Sequence, residues 1–133
     1  MQDEALHIAV AVIFSRDRQQ VLLSKRPNHV DQGGLWEFPG GKCEKDESIR
    51  DALGRELIEE LGMCVEEATP FIQVKHSYPE YSVLLDVWCV DRWSGDVSGR
   101  EGQQVEWVKL EALEEKEFPR ANEAIIRAIQ ALQ

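Results

Sequence analysis

Residues 41–63 of the chain read GKCEKDESIRDALGRELIEELGM, and this stretch carries the clearest structural signal in the sequence. Its leucine and isoleucine residues recur at four-residue spacing and predict one apolar stripe on a helix. The stripe consists of Ile49, Leu53, Leu57 and Leu61. Asp46 is the expected N-cap, and Gly62 is expected just beyond the last helical residue, where a left-handed backbone favours glycine. We therefore predict an amphipathic helix directly after a glycine turn at Gly40 and Gly41.

Three glutamates in this helix, Glu56, Glu59 and Glu60, lie at positions i, i+3 and i+4 and project from one face. Like charges at this spacing destabilise a helix by about 0.2–0.5 kcal/mol per pair, and Gly54 adds about 1 kcal/mol relative to alanine. A divalent cation such as Mg²⁺ would offset the repulsion, because it prefers oxygen ligands. A solvated acidic face is the ordinary explanation for such a cluster. The spacing alone leaves both interpretations open.

The segments on either side of the helix predict strands, because they combine β-branched and aromatic residues and are bounded by turn residues. The predicted strands cover residues 6–14, 20–24, 71–78, 83–90 and 105–108. The first two are predicted to form a hairpin, and a turn is predicted at 93–95. Helices are predicted over 110–115 and 122–132. Helices thus follow and separate strands without strict alternation. This order indicates an α/β (α+β) fold with a mixed β-sheet packed between helices. The length of the chain predicts a single domain over residues 1–133.

The charge and composition of the chain restrict its partners. The formal net charge of -10 argues against long nucleic acid, because no basic stripe is available to displace counterions. A small phosphorylated substrate fits this charge if metal ions accompany it.

The apolar run near the N-terminus follows Asp3 and Glu4, so it has neither the basic flank nor the length of a signal peptide or membrane span. We expect a cytoplasmic monomer without a membrane partner, and free thiols at the 3 cysteines, which form no Cys-x-x-Cys pair.

The glycine, arginine and glutamate residues of the helical stretch have a spacing that resembles, without a departure, the signature of the Nudix hydrolases. That signature is Gly-x5-Glu-x7-Arg-Glu-U-x-Glu-Glu-x-Gly-U, with U apolar. At roughly 7% usage per residue type, its fixed positions match by chance on the order of once per 10⁸ windows. The resemblance implies the Nudix fold and a bound Mg²⁺ ion, for which Mn²⁺ could substitute. The implied metal ligands are Glu56, Glu59, Glu60 and the backbone carbonyl of Gly41.

Several charged residues around this motif are further candidates. Arg55 can reach back two helical turns to pair with Glu47, which would fix the loop against the helix. Glu101 lies in a glycine-flanked segment that is expected to be flexible, where a lone glutamate is ordinarily inert. The segment resembles the Gly-x-Glu-Gly-Gln stretch of MutT-type Nudix members, which implies that Glu101 is a further metal ligand or the general base. Arg26 and Lys42 are the cations expected to reach phosphates, although each could equally be a solvent-exposed charge.

The general base is left open between two carboxylates, Glu56 and Glu101. The resemblance implies that both belong to the catalytic group, together with Glu59 and Glu60. It also implies that water attacks the β-phosphorus in line and that a nucleoside monophosphate and pyrophosphate are released.

The resemblance to MutT-type 8-oxo-dGTP diphosphatases covers nearly the whole chain, including residues 37–42, 101–103 and 118–123. It implies that Asn122 recognises the base. A carboxamide offers an acceptor and a donor side by side, which matches the N7–H donor and O6 acceptor of 8-oxoguanine, whereas guanine presents two acceptors there. Asn122 could instead cap the last helix, a role worth about 1 kcal/mol. Glu37, Phe38 and Tyr78 are predicted to contribute to base recognition.

Two departures bear on the substrate. Residues 78–81 read YPEY and match the Phe-Pro-Asp-Arg of familiar MutT members only loosely. Residues 26–27 and 31–38 also resemble the Nudix branch that hydrolyses CTP, dCTP or 5-methyl-dCTP, although that branch lacks the Pro-x-Ala-Asn segment. A catalytically inactive nucleotide-binding sensor is an alternative of another class, but such modules usually lose a motif glutamate, and none is missing here. The sequence therefore predicts an Mg²⁺-dependent pyrophosphohydrolase that removes 8-oxo-dGTP from the nucleotide pool.

Overall fold

The computed structural model describes residues 5–30 and 33–132, which form strands in two sheets and two α-helices. The strands are β1 (Leu6–Ile13), β2 (Gln20–Lys25), β3 (Trp36–Glu37), β4 (Gly40–Lys42), β5 (Cys64–Ser77), β6 (Ser82–Ser94) and β7 (Val105–Lys109). The helices are α1 (Ile49–Leu61) and α2 (Glu123–Gln130), with 3₁₀ turns at Leu110–Glu115 and Arg120–Asn122. The four-stranded sheet has the order β4-β1-β6-β5, and the three-stranded sheet has the order β3-β2-β7.

Strand β1 organises the packing, because its unbroken apolar run is buried on both faces. One face, which includes Ala9 and Ile13, packs against the apolar stripe of α1. The opposite face, which includes Val10 and Val12, shares a core with α2 through Ile125. The predicted mixed sheet packed between helices is therefore confirmed, with β1 parallel to β6 and antiparallel to β4.

The predicted hairpin between the first two strands is wrong. Strands β1 and β2 belong to different sheets and are linked by an isolated bridge between Phe14 and Val21. The reason is that both edges of β1 are already paired, one with β4 and the other with β6. Strand β2 pairs instead with β3 and β7, so the tight turn after Phe14 joins two sheets.

Strands β5 and β6 are both longer than predicted and form a long antiparallel pair. The first half of β5 contains the exposed residues Glu66 and Glu67 and also Pro70, and its register shifts at several points. An edge strand tolerates such residues, but they remove the alternation by which a strand is recognised in the sequence. Strand β6 likewise runs on to Ser94, and the predicted turn begins at Gly95, which has a φ of 107°.

The helix ends differ from the prediction at one position and agree at another. Ser48 is the N-cap of α1, because its side chain accepts a hydrogen bond from the Asp51 backbone N–H at 3.0 Å. The predicted cap, Asp46, is wrong: it has a φ of 65° and lies before the loop residue Glu47, which folds back towards the helix. Gly62 ends the helix with a φ of 70°, as predicted.

The two C-terminal helices differ from the prediction: one is a 3₁₀ helix, and the other is shorter than predicted. The acidic segment Leu110–Glu115 is a 3₁₀ helix, and the closing helix covers Glu123–Gln130, so that Asn122 belongs to the preceding 3₁₀ turn. Cys43, Cys64 and Cys89 are free thiols, as predicted. Within the described residues, no helix combines the length and apolar character needed to cross a membrane.

Candidate active site

The carboxylates of α1 crowd against other acidic residues. The pKa of the Glu60 carboxyl is raised well above its usual range, first by burial and then by the hydrogen bond that its protonated form donates to the neighbouring Glu56. The negative charges of Glu56, Glu37 and Glu101 raise the Glu60 pKa further. The fold therefore brings together carboxylates from α1, from β3 and from the loop before β7, which the sequence separates widely.

Strand β4 approaches the acidic cluster at Gly41, which lies next to the Glu56 carboxylate. A Cβ atom built on Gly41 would be 2.4 Å from Cδ of Glu56, far inside van der Waals contact. Gly41 pairs with Ala9 of β1 and is therefore held in place by the sheet. Any side chain at Gly41 would displace the Glu56 carboxylate, so the glycine allows the backbone of β4 to lie beside it.

Arg55 ties the loop before α1 to the helix. Its guanidinium donates from Nε and Nη2 to the two carboxylate oxygens of Glu47, at 2.8 and 3.0 Å. It also donates to Glu56 at 2.9 Å and to the backbone carbonyl of Lys42 at 3.1 Å. The hydrogen bonds from Arg55 lower the pKa of Glu47, and Arg55 itself has a raised pKa, chiefly because of Glu47. The predicted partners are thus brought together, and Glu59, whose side chain is 52% exposed, faces outward.

The loop that carries Glu101 is docked on the C-terminal end of α1. The backbone N–H of Arg100 donates to the Glu60 carbonyl at 2.8 Å, and that of Ser98 donates to the Leu61 carbonyl at 3.1 Å. Carbonyls at the end of a helix have no partner within the helix, so the loop satisfies them. These bonds hold the segment that carries the exposed Glu101 beside the helix.

Gln103 is a residue that the sequence reasoning missed. Its side-chain Nε2 donates to the Glu60 carbonyl at 3.0 Å, and its Oε1 accepts from the Glu101 backbone N–H at 3.0 Å. The amide therefore bridges the end of α1 and the residue proposed as a further ligand. The available signal was its position two residues after Glu101, where a local side-chain to backbone hydrogen bond is common.

The donors at this site fit a divalent cation that shares its shell with substrate. In the part of the chain that the structure describes, no group of three or more His, Cys, Asp or Glu side chains is placed to hold a metal ion. Mg²⁺ can bind with fewer protein ligands, because it usually keeps one or two carboxylates, several waters and substrate phosphates. Glu56, Glu60 and Glu101 offer hard oxygen ligands, and the repulsion among them is the charge that such an ion would neutralise.

An apolar cavity of about 450 Å³ adjoins the acidic cluster. The residues that line it include Arg26, Glu37, Phe38, Gly41, Lys42, Tyr78, Tyr81 and Asn122. Nη1 of Arg26 donates to Glu37 at 2.9 Å. The pKa of Glu37 is nevertheless raised, because burial outweighs the charge and hydrogen bond of Arg26. The two predicted phosphate-binding cations thus both reach the cavity, Arg26 as the partner of Glu37 and Lys42 as an exposed side chain.

Asn122 lies in the wall of this cavity and is only 9% exposed. Its side chain makes no hydrogen bond with any described residue, and it does not cap α2. The alternative interpretation as a helix cap is therefore wrong. Because it lines the cavity and has no protein partner, the Asn122 amide is available to a ligand. The other predicted base-side residues are placed at the same cavity, where Phe38 stacks on Phe118 with 5.6 Å between ring centroids.

The fold and the site define an α+β domain in which oxygen ligands suited to a divalent cation adjoin a cavity of nucleoside size. The NUDIX domain family model matches residues 9–128, and the chain belongs to the Nudix family. The predictions of a Nudix fold and of a Nudix hydrolase are confirmed.

Named relatives and a solved structure cover almost the whole chain. An 8-oxo-dGTP diphosphatase of Escherichia coli strain K12 is 35% identical over 127 residues, which are 96% of this chain and 98% of the relative. A CTP pyrophosphohydrolase of the same strain is 40% identical over 127 residues, covering 93% and 91% of the two chains. A MutT structure from work on Aliivibrio salmonicida and Vibrio cholerae is 38% identical, with a TM-score of 0.86, and the match covers 98% of this chain and 100% of that one.

Proposed function

We propose that the protein hydrolyses 8-oxo-dGTP to 8-oxo-dGMP and pyrophosphate, with Mg²⁺ as its metal and Mn²⁺ as a working substitute. The observation that carries the proposal is the Asn122 amide, which lines the cavity beside the acidic cluster and makes no hydrogen bond with a described residue. Such an activity would remove an oxidised precursor before it is incorporated into DNA.

Base selection follows from the hydrogen-bonding groups that the cavity offers. The Asn122 amide can accept from N7–H and donate to O6 of 8-oxoguanine. Guanine would leave one of these groups unpaired in a buried site, and sites of this kind can discriminate by about 10⁴. Glu37, when ionised, offers only acceptors, which suit the ring and amino N–H groups of an oxidised guanine. Phe38 and Tyr78 supply apolar and aromatic surface for the ring.

The phosphates would lie towards Lys42 and the acidic cluster. Glu56, Glu59, Glu60, Glu101 and the Gly41 carbonyl are the proposed metal ligands. A bound divalent cation would neutralise phosphate charge and lower the pKa of a bound water. Glu56 or Glu101 would accept the proton of the attacking water. Arg55 holds the Glu56 carboxylate in place, and Gln103 fixes the backbone of Glu101.

A second candidate substrate is CTP or dCTP. It is favoured by the CTP pyrophosphohydrolase relative, which has the higher identity of the two Escherichia coli proteins. Cytosine also presents a donor beside an acceptor, N4–H and N3, so the Asn122 amide alone does not separate it from 8-oxoguanine. The Pro-x-Ala-Asn segment at residues 119–122, which the cytosine branch lacks, favours 8-oxo-dGTP.

A nucleotide panel tests the proposal. Pyrophosphate release is measured with Mg²⁺ and 8-oxo-dGTP, dGTP, CTP, dCTP or 5-methyl-dCTP, and the same reactions with EDTA are the control. We expect kcat/KM for 8-oxo-dGTP to exceed that for dGTP by about 10⁴ and to exceed every cytosine nucleotide. A cytosine nucleotide as the best substrate would overturn the specificity, and no turnover of any nucleotide would indicate the sensor module instead.

The proposed substrate is a small molecule, and long nucleic acid is not a proposed partner because the net charge is -10. We also propose that residues 1–133 act as one domain, as a monomer, in the cytoplasm, where the nucleotide pool is found. Light scattering on a sizing column would test the monomer, since a dimer would double the mass of 15.2 kDa.

A further inference from the structure

The turn that carries Tyr78 is held by backbone hydrogen bonds and by aromatic contacts. Tyr78 follows β5, and its backbone exchanges hydrogen bonds with Tyr81 at 2.7 and 3.3 Å. The Tyr78 ring is also contacted by two aromatic side chains, His76 at 4.5 Å and Tyr81 at 5.1 Å between centroids. These contacts limit where the Tyr78 hydroxyl can lie.

That hydroxyl reaches the segment beside Asn122. The Tyr78 hydroxyl oxygen accepts a hydrogen bond from the Ala121 backbone N–H at 3.1 Å. Ala121 is 3% exposed and lies in the 3₁₀ turn Arg120–Asn122. The bond therefore links the turn between β5 and β6 to the turn that presents Asn122, although the two are 43 residues apart in sequence.

We propose that the Tyr78 hydroxyl is a positioning group for Asn122 and thereby sets much of the selectivity for 8-oxoguanine over guanine. The Asn122 side chain has no hydrogen bond to the described residues, so its placement depends on the backbone of its own turn. A hydrogen-bonding site must be held within roughly 0.5 Å of its productive geometry. The inference rests on the proposed base-reading role of Asn122.

Tyrosine differs from phenylalanine only in this hydroxyl. A phenylalanine would keep the aromatic surface of the cavity and lose only the acceptor for the Ala121 N–H. That buried N–H would then have no partner, and the turn carrying Asn122 would gain freedom to move.

The test measures the selectivity ratio, which is kcat/KM for 8-oxo-dGTP divided by kcat/KM for dGTP. Three variants are compared with the parent: Tyr78→Phe, Asn122→Ala and the double variant. The matched control is Ser77→Ala, which removes the Ser77–Ser82 side-chain hydrogen bond from the same pair of strands without touching the cavity.

We expect Tyr78→Phe to lower the ratio about tenfold, because one hydrogen bond that orders the site is lost. Asn122→Ala should lower the ratio further, and adding Tyr78→Phe to it should have no additional effect. Ser77→Ala should leave the ratio unchanged. Hydrogen exchange of the Ala121 amide, measured by NMR, should accelerate in Tyr78→Phe and not in Ser77→Ala.

The outcomes separate the two proposals. If Asn122→Ala lowers the ratio and Tyr78→Phe keeps it within twofold of the parent, the positioning role is overturned and base reading by Asn122 stands. An additive effect in the double variant would also overturn the positioning role, since Tyr78 would then act independently of Asn122. If Asn122→Ala leaves the ratio unchanged, base reading by Asn122 fails, and the role of Tyr78 fails with it.

Discussion

Two regions of the cleft are built in different ways. The proposed catalytic edge consists of Glu56, Glu59, Glu60 and Glu101, and the proposed base pocket consists of Glu37, Phe38, Tyr78 and Asn122. Most of the catalytic edge comes from one helix, whereas the base pocket combines segments that are far apart in the sequence. Changes at the edge should therefore alter the rate for every nucleotide, while changes in the pocket should alter the choice among nucleotides.

The largest expected effect is at the edge. Glu60→Gln should lower kcat for every accepted nucleotide by about 10²–10³-fold, because an amide cannot supply the ionised oxygen ligand that the proposed metal site needs. The selectivity ratio should stay the same. Steady-state kinetics at saturating Mg²⁺ measures both quantities, and Glu111→Gln, at an exposed position on a 3₁₀ turn, is the control. A variant that kept the rate but changed the ratio would erase the distinction between edge and pocket.

Gly41→Ala tests how closely the edge depends on its neighbouring strand. The new methyl group would displace the Glu56 carboxylate, so we expect kcat to fall by about 10–100-fold, as for loss of a group that orients a metal ligand. Gly54→Ala is the matched control within α1, because its added carbon meets only the end of the flexible Arg50 side chain. It should leave kcat unchanged and stabilise the protein by up to about 1 kcal/mol in urea unfolding. Equal kinetics for both variants would contradict the proposed crowding at Glu56.

Gln103→Ala tests the link between the loop and α1. We expect kcat to fall about tenfold for all nucleotides, because Glu101 loses the amide that fixes its backbone. In a Glu101→Gln background the same change should have little further effect on kcat. Independent, additive losses in the double variant would show that Gln103 does not act through Glu101.

The smallest expected effect concerns stability alone. Ser48→Ala should destabilise the protein by about 1 kcal/mol, because it removes the N-cap of α1. Asp46→Gly should change the unfolding free energy much less, since glycine tolerates the φ of 65° at this position and Asp46 caps nothing in α1. Urea unfolding followed by circular dichroism compares the two, and the reverse order would restore Asp46 as the cap.

The same contrast explains what the sequence could reveal. The extent of the apolar stripe, the spacing of the glutamates and the stop at Gly62 depend on neighbours within a few positions, so local patterns predicted them. The pairing of β1 with β6, the docking of Gln103 on the end of α1 and the Tyr78–Ala121 bond depend on contacts between distant segments. Such contacts leave no periodic signal, which is why the β1–β2 hairpin was wrongly predicted and Gln103 was missed.

The most direct test of the central claim is a crystal structure with Mn²⁺ and a non-hydrolysable 8-oxo-dGTP analogue, with the metal located by anomalous scattering. We expect a peak at about 2.1 Å from carboxylate oxygens of Glu56 and Glu60 and from a phosphate oxygen, with the base at the Asn122 amide. A bound nucleotide with no anomalous peak beside these glutamates, or with the metal held elsewhere, would contradict the account.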